Sequence, residues 1–127
     1  HAGLVRGQEE RRINTTSLDV LSRATTCTTG IEWLGQAEQA KYHQLAESAQ
    51  LNRTGGDCYL FALVALGQIH IGLDGSLNPY DIQALIPIIR GAGGVITTWD
   101  GGNPSLGGHV VASANQALHA QALDKLR

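Results

Sequence analysis

The sequence predicts an α/β fold, a layered sheet with helices packed on it, and three observations support this. Helix-period and strand-period stretches alternate along the 127 residues, the pattern of helices laid against a sheet. The stretch over residues 53–94, RTGGDCYLFALVALGQIHIGLDGSLNPYDIQALIPIIRGAGG, has the order turn, helix, strand, turn, helix, turn. Helix-start and helix-stop residues stand at its boundaries: Gly55-Gly56-Asp57 before one helix, Asn78-Pro79 before the next, and Gly93-Gly94 after it.

Residues 1–14 are polar and charged and fit a hairpin remnant or a frayed end. Residues 17–24 (SLDVLSRA) fit a short helix capped by Ser17, with Leu18, Leu21 and Val20 turned inward. Residues 24–29 are threonine-rich and fit a short buried strand. Residues 31–49 fit a helix burying Leu34, Ala37, Leu45, Ala46 and Ala49. A short strand at residues 51–53 leads to an apolar helix at residues 58–66.

Residues 68–73 alternate as a strand, with Ile69, Ile71 and Leu73 on one face and His70, Gly72 and Asp74 on the other. Asn78 caps the helix at residues 79–92, and Pro87 inside it removes one backbone bond and kinks it. Strands at residues 95–98 and 109–113 flank a turn at residues 100–104. Asn115 caps a last helix to Leu126.

Composition narrows the function classes. A chain of this length fits one domain that buries roughly two-thirds of its unfolded surface. Hydrophobic residues make up 43% and charged residues 16%, with a net charge of -2, so no basic surface points to nucleic acid. No apolar run is long enough to cross a membrane. The two cysteines, Cys27 and Cys58, fit buried free thiols in a reducing compartment, hence the cytoplasm, with a disulfide between them as the alternative. The chain begins at His1 and holds no methionine, which leads us to expect a piece of a longer polypeptide.

Asp74 and Asp81 are seven positions apart, one at a predicted strand end and one in the next helix's first turn. Such a pair can hold a hard divalent cation or bind substrate hydroxyls. The same residues also fit a simpler role, with Asp81 complementing the helix dipole and Asp74 opening an Asp-Gly turn. Gly55-Gly56-Asp57 allows close backbone approach to a phosphate or hydroxyl, or serves only as a helix entry. His70 fits a partly exposed strand histidine. The histidines lack metal-ligand spacing, and neither a CxxC nor a GxSxG occurs.

The segment GGDCYLFALVALGQIHIGLDGSLNPYDIQALIPIIRGAGGVITTWDG, followed by GGHVVASANQALHAQAL, resembles the C-terminal half of the inositol-monophosphatase-like, magnesium-dependent phosphatases. GGDCY, LNPYDI and ALIPII…GAGG give it the look of the histidinol-phosphate phosphatase branch. The resemblance covers about residues 53–123 and extends more loosely upstream. It implies the C-terminal part of the inositol-monophosphatase and sugar-phosphatase fold over residues 1–127, the N-terminal metal-binding half lying elsewhere. Asp81 matches the metal-binding aspartate of the WD motif, a ligand to catalytic Mg²⁺ beside the attacking water. Asp74 matches the acidic residue that contacts the leaving group. Gly56, Asp57 and Cys58 match the small-residue loop lining the substrate site, and Gly93 and Gly94 match structural glycines.

The resemblance therefore implies the C-terminal region of a phosphomonoesterase for histidinol phosphate or inositol monophosphate. The family's early-helix glutamate and DPxDGT aspartates are not among these residues, so the chain alone is expected to bind Mg²⁺ weakly and to catalyse nothing measurable. The alternative is a non-catalytic binding or self-association module. Either way an apolar surface is expected where a missing half or a second copy packs.

Overall fold

The fold comes from a computed structural model that describes residues 2–6, 9–32, 34–55 and 59–127, with the backbone alone over residues 2–6 and 9–12. The N-terminal residues pair as a hairpin, β1 (Ala2–Arg6) against β2 (Glu9–Ile13), in antiparallel register. The remaining strands are β3 (Thr25–Thr28), β4 (Leu51–Thr54), β5 (Ile71–Leu77), β6 (Val95–Thr98) and β7 (Gly108–Ser113). They form one sheet in the order β4-β3-β5-β7-β6. β3 lies parallel to β4 and β5, while β7 runs antiparallel to both β5 and β6.

Helices cover both faces. α1 (Gln36–Ser48) and α5 (Gln116–Leu126) bury Tyr42, Leu45, Leu118 and Leu126 against Ile71, Leu73 and Val111. α2 (Tyr59–Ala65), α3 (Pro79–Ile82) and α4 (Leu85–Gly91) bury Leu60, Phe61, Val64, Ile82, Ile86 and Ile89 against Ile96, Val110 and Ala112 on the opposite face. Each of the fully buried aliphatic and aromatic side chains contributes roughly 1.5–3 kcal/mol of transfer free energy.

The topology sends successive connections to opposite faces. From β3 the chain moves outward to β4 through α1, and from β4 it returns across β3 to β5 through α2. Right-handed crossovers in opposite directions must lie on opposite faces. The chain leaves β5 through α3 and α4, on the face away from α1. The C-terminal ends of the adjacent parallel strands β3 and β5 therefore form a topological switch point, the place where open α/β sheets bind ligands.

The expected elements are present, with several corrections. Ile69 lies before β5 and packs with the α2 side, whereas Ile71 and Leu73 pack with the α1 side. β5 is buried on both faces from Ile71 to Gly75, so two-residue alternation does not separate core from solvent there. Only Leu21–Arg23 closes a helical turn in the first predicted helix; its cap position is Val20, which is 46% exposed rather than inward. α1 starts after Gly35, leaving Ala37 exposed. The helix expected over residues 79–92 is two helices broken at Gln83-Ala84. Gln83 is four residues before Pro87, whose ring clashes with that carbonyl and has no N–H to offer it.

Candidate functional site

The C-terminal edge of the parallel strands is built from threonine, glycine and aspartate. β3 ends at Thr28, and Gly55, just past the end of β4, donates its N–H to the Thr28 carbonyl (2.8 Å). Beside them on β5 stands Asp74, 5% exposed. Its carboxylate accepts from the Thr29 hydroxyl (2.6 Å), the Thr28 hydroxyl (3.3 Å) and the Thr29 backbone N–H (3.3 Å). A buried carboxylate needs such donors to offset its desolvation. Next to it the Cys27 thiol is pushed up chiefly by burial, with Arg53 opposing and the charge of Asp74 adding. Cys27 is a buried free thiol, its Sγ 3.6 Å from the Gly55 carbonyl.

Just after Asp74, β5 breaks register. Asp74 pairs with Val110 and Leu77 with Gly108, so Gly75 and Ser76 together oppose His109. This is a bulge, which bends a strand and re-aims the residues beyond it. Ser76 adopts a left-handed φ of 55°, and its N–H donates to His109 Nδ1 (3.0 Å). Gly107 faces this segment, where a Cβ would fall 2.2 Å from the Leu77 carbonyl oxygen.

The strand then runs into α3, with Asn78 at the cap and Pro79 at the first helical position. Asp81 Oδ2 accepts from the Asn78 N–H (2.8 Å), which ties the carboxylate back onto the helix entry. Asp81 is half-buried. Asp74 and Asp81 thus belong to the same sheet edge, one inside β5 and one on the helix that leaves it, although Asp74 lies three residues before the strand's end rather than at it.

The other expected site residues, Gly56, Asp57 and Cys58, lie outside the described residues; Gly55 and Tyr59 flank them. His70 lies just before β5, at the end of the strand away from Asp81. Its Nδ1 accepts from the Thr25 N–H (2.8 Å), and burial lowers its pKa. It braces the strand starts and does not share the Asp74 edge. Thr28, Thr29 and His109 were missed by sequence reasoning. The threonines gave only a β-propensity signal, and His109 has no motif around it, because its role depends on a register that sequence spacing does not show.

Along this edge lie two carboxylates, Asp74 engaged by the Thr28 and Thr29 hydroxyls and Asp81 by the Asn78 N–H. Among the described residues, no three His, Cys, Asp or Glu side chains gather as metal ligands. Asp81 nevertheless fits as one ligand of a hard cation: it is a half-buried carboxylate with Oδ2 held by Asn78 and Oδ1 outside that bond. Mg²⁺ takes one or two protein carboxylates and completes its shell with water and phosphate.

Comparison with known proteins places the chain in a family. Residues 5–127 match the model of the inositol monophosphatase family. The bifunctional phosphatase IMPL2, chloroplastic, of Arabidopsis thaliana is 33% identical over 123 residues, covering 90% of this chain and 36% of the relative. A histidinol-phosphatase of Chlorobaculum parvum is 39% identical over 75 residues, covering 59% of this chain and 29% of the relative. Among solved structures, an inositol monophosphatase from Zymomonas mobilis superposes with a TM-score of 0.86 at 28% identity, covering 90% of this chain and 46% of that one. The suhB protein of Bartonella henselae, at 21% identity and a TM-score of 0.82, shares the fold. The chain spans under half the length of the relatives from Arabidopsis, Chlorobaculum and Zymomonas.

Proposed function

Because the chain belongs to the inositol monophosphatase family, we propose that it forms the C-terminal region of a Mg²⁺-dependent phosphomonoesterase. Its substrate is a small alcohol phosphate, histidinol phosphate first and an inositol monophosphate second. The observation that supports this most is that Asp74 on β5 and Asp81 on the helix leaving it flank the bulged segment where the connections from β3 and β5 diverge. The histidinol-phosphatase among the relatives supports the order of substrates.

Bound Mg²⁺ supplies charge to the phosphoryl oxygens and lowers the pKa of a bound water. Asp81 holds the metal with a carboxylate whose orientation is set by Asn78. Asp74, held by Thr28 and Thr29, recognises the leaving group, and Asp57 with Gly56 and Cys58 lines the pocket. An acidic residue at position 57 pairs with an amino group on the substrate. Residues 1–127 alone bind Mg²⁺ weakly and release no phosphate. We place the protein in the cytoplasm, on the low cysteine count of the chain.

Phosphate release by the full-length protein, with histidinol phosphate and inositol monophosphate and with Mg²⁺ or chelator, tests this proposal. Mg²⁺-dependent release that favours histidinol phosphate is expected, and no release from either ester would refute it. A second reading, a non-catalytic self-association module, is favoured by Tyr80 and Leu106, each 80% exposed. They sit on neighbouring segments joined by the Gln83 side-chain amide donating to the Ser105 carbonyl (2.9 Å). Apolar side chains left this open suit a partner surface. Sedimentation showing a dimer that Leu106→Glu dissociates supports it, and a clean monomer at all concentrations removes it.

A further inference from the structure

We infer that His109 is a positioning residue: its imidazole replaces the ladder bond lost at the β5 bulge and so fixes the segment between Asp74 and Asp81. This rests on the phosphatase proposal for its functional meaning. The geometry is specific to the bulge. Gly75 and Ser76 stand opposite a single residue of β7, which is His109 itself. The N–H of Ser76 finds its acceptor in the His109 ring, Nδ1 at 3.0 Å. Ser76 is exposed, so without the ring its N–H turns to water, and what the bulge loses is the tether to β7.

The ring is itself held. It packs against Trp99 with centroids 5.1 Å apart. Trp99 is anchored by its backbone N–H to the His109 carbonyl (2.8 Å) and by its indole N–H to the Val110 carbonyl (3.2 Å). Gly75 makes room for this arrangement, since a Cβ there would meet His109 Nδ1 at 2.9 Å and Leu34 Cδ2 at 2.2 Å. Ser76 sits at φ 55°, a conformation that a non-glycine residue keeps only when its surroundings hold it. The brace therefore acts between Asp74 and the Leu77-Asn78 step that sets the course of α3. A loosened bulge misplaces both carboxylates, and small misplacements in a reacting site carry large rate penalties.

Two variants of the full-length protein and one wild-type measurement test this. In the wild type, a scalar ¹⁵N–¹⁵N coupling through the hydrogen bond is expected between the Ser76 amide and His109 Nδ1. His109→Ala is expected to speed amide exchange at Ser76 and Asn78 and to lower kcat for the alcohol phosphate by roughly tenfold. His109→Asn places Oδ1 near the position of Nδ1 and is expected to restore both amide protection and rate to within about threefold of wild type. Absence of the coupling overturns the inference, as does unchanged Ser76 exchange in a folded His109→Ala protein. Faster exchange with kcat and KM unchanged removes the positioning role. Wild-type protein that releases no phosphate defeats the proposed function instead, and the coupling and the Asn78 amide then decide whether His109 fixes the segment.

Discussion

Asp74 is held by the fold at both carboxylate oxygens. Its carboxylate joins the end of β3 to β5 through Thr28 and Thr29, so truncation leaves buried donors unpaired. Asp74→Ala is expected to lower the unfolding free energy by about 2–3 kcal/mol, whereas Asp74→Asn, which keeps one acceptor oxygen, loses less; urea titration separates the two. The neighbouring Cys27 thiol is raised by burial and should react with a thiol reagent far more slowly in the native state than in denaturant. Sequence spacing put Asp74 and Asp81 forward as candidates; the helix-start signal at Asp81 is local and held, whereas Asp74 lies inside β5 rather than at its end. The threonines that hold Asp74 come from a strand more than forty residues away, and only the sheet order brings them together.

At the scale of elements, α5 is locked to the sheet by a buried histidine. His119 is 1% exposed, with Nδ1 2.8 Å from the Ser113 hydroxyl and Nε2 2.8 Å from Thr97 Oγ1. Thr97 donates its own proton to the Thr98 carbonyl (2.7 Å), so Nε2 carries the hydrogen and Nδ1 accepts from Ser113. Burial lowers the His119 pKa from 6.5 to about 4. The folded ring stays neutral while the unfolded chain takes up a proton below 6.5. Stability is thus full above that pH, falls as pH drops toward 4, and levels off below; the loss is roughly 3 kcal/mol. His70 shifts in the same direction. Urea midpoints across this range should fall in the wild type and fall less in a folded His119→Gln variant.

A glycine sets the other junction. Gly107, at φ 82°, faces the Leu77 carbonyl, and Gly107→Ala is expected to cost about 2–4 kcal/mol in thermal or urea unfolding. The signals at Asn78, Pro79, Asn115 and Gly93 located element ends well because capping is local chemistry. The split between α3 and α4 fell at Gln83, four residues before the proline that causes it. Burial of β5 on both faces hid the change of side between Ile69 and Ile71.

Across the whole molecule, helix layers on both faces of a mixed sheet follow from the alternation of elements in the sequence. The strand order β4-β3-β5-β7-β6 does not follow from it, because pairing between distant segments leaves no local trace. That order makes the switch point, since it sends α1 and α3 to opposite faces beside Asp74. It also leaves Tyr80 and Leu106 open to solvent, on the same side of the chain's course as α3. The claim on which the function turns is that Asp81 serves metal-dependent phosphate release while adding little to folding. Asp81→Asn keeps an oxygen able to accept from the Asn78 N–H, so the helix entry should survive. Phosphate release by the full-length protein with Mg²⁺ is the direct measurement: a fall of about a hundredfold or more with an unchanged unfolding midpoint is predicted. Release at the wild-type rate by the Asp81→Asn protein would contradict it.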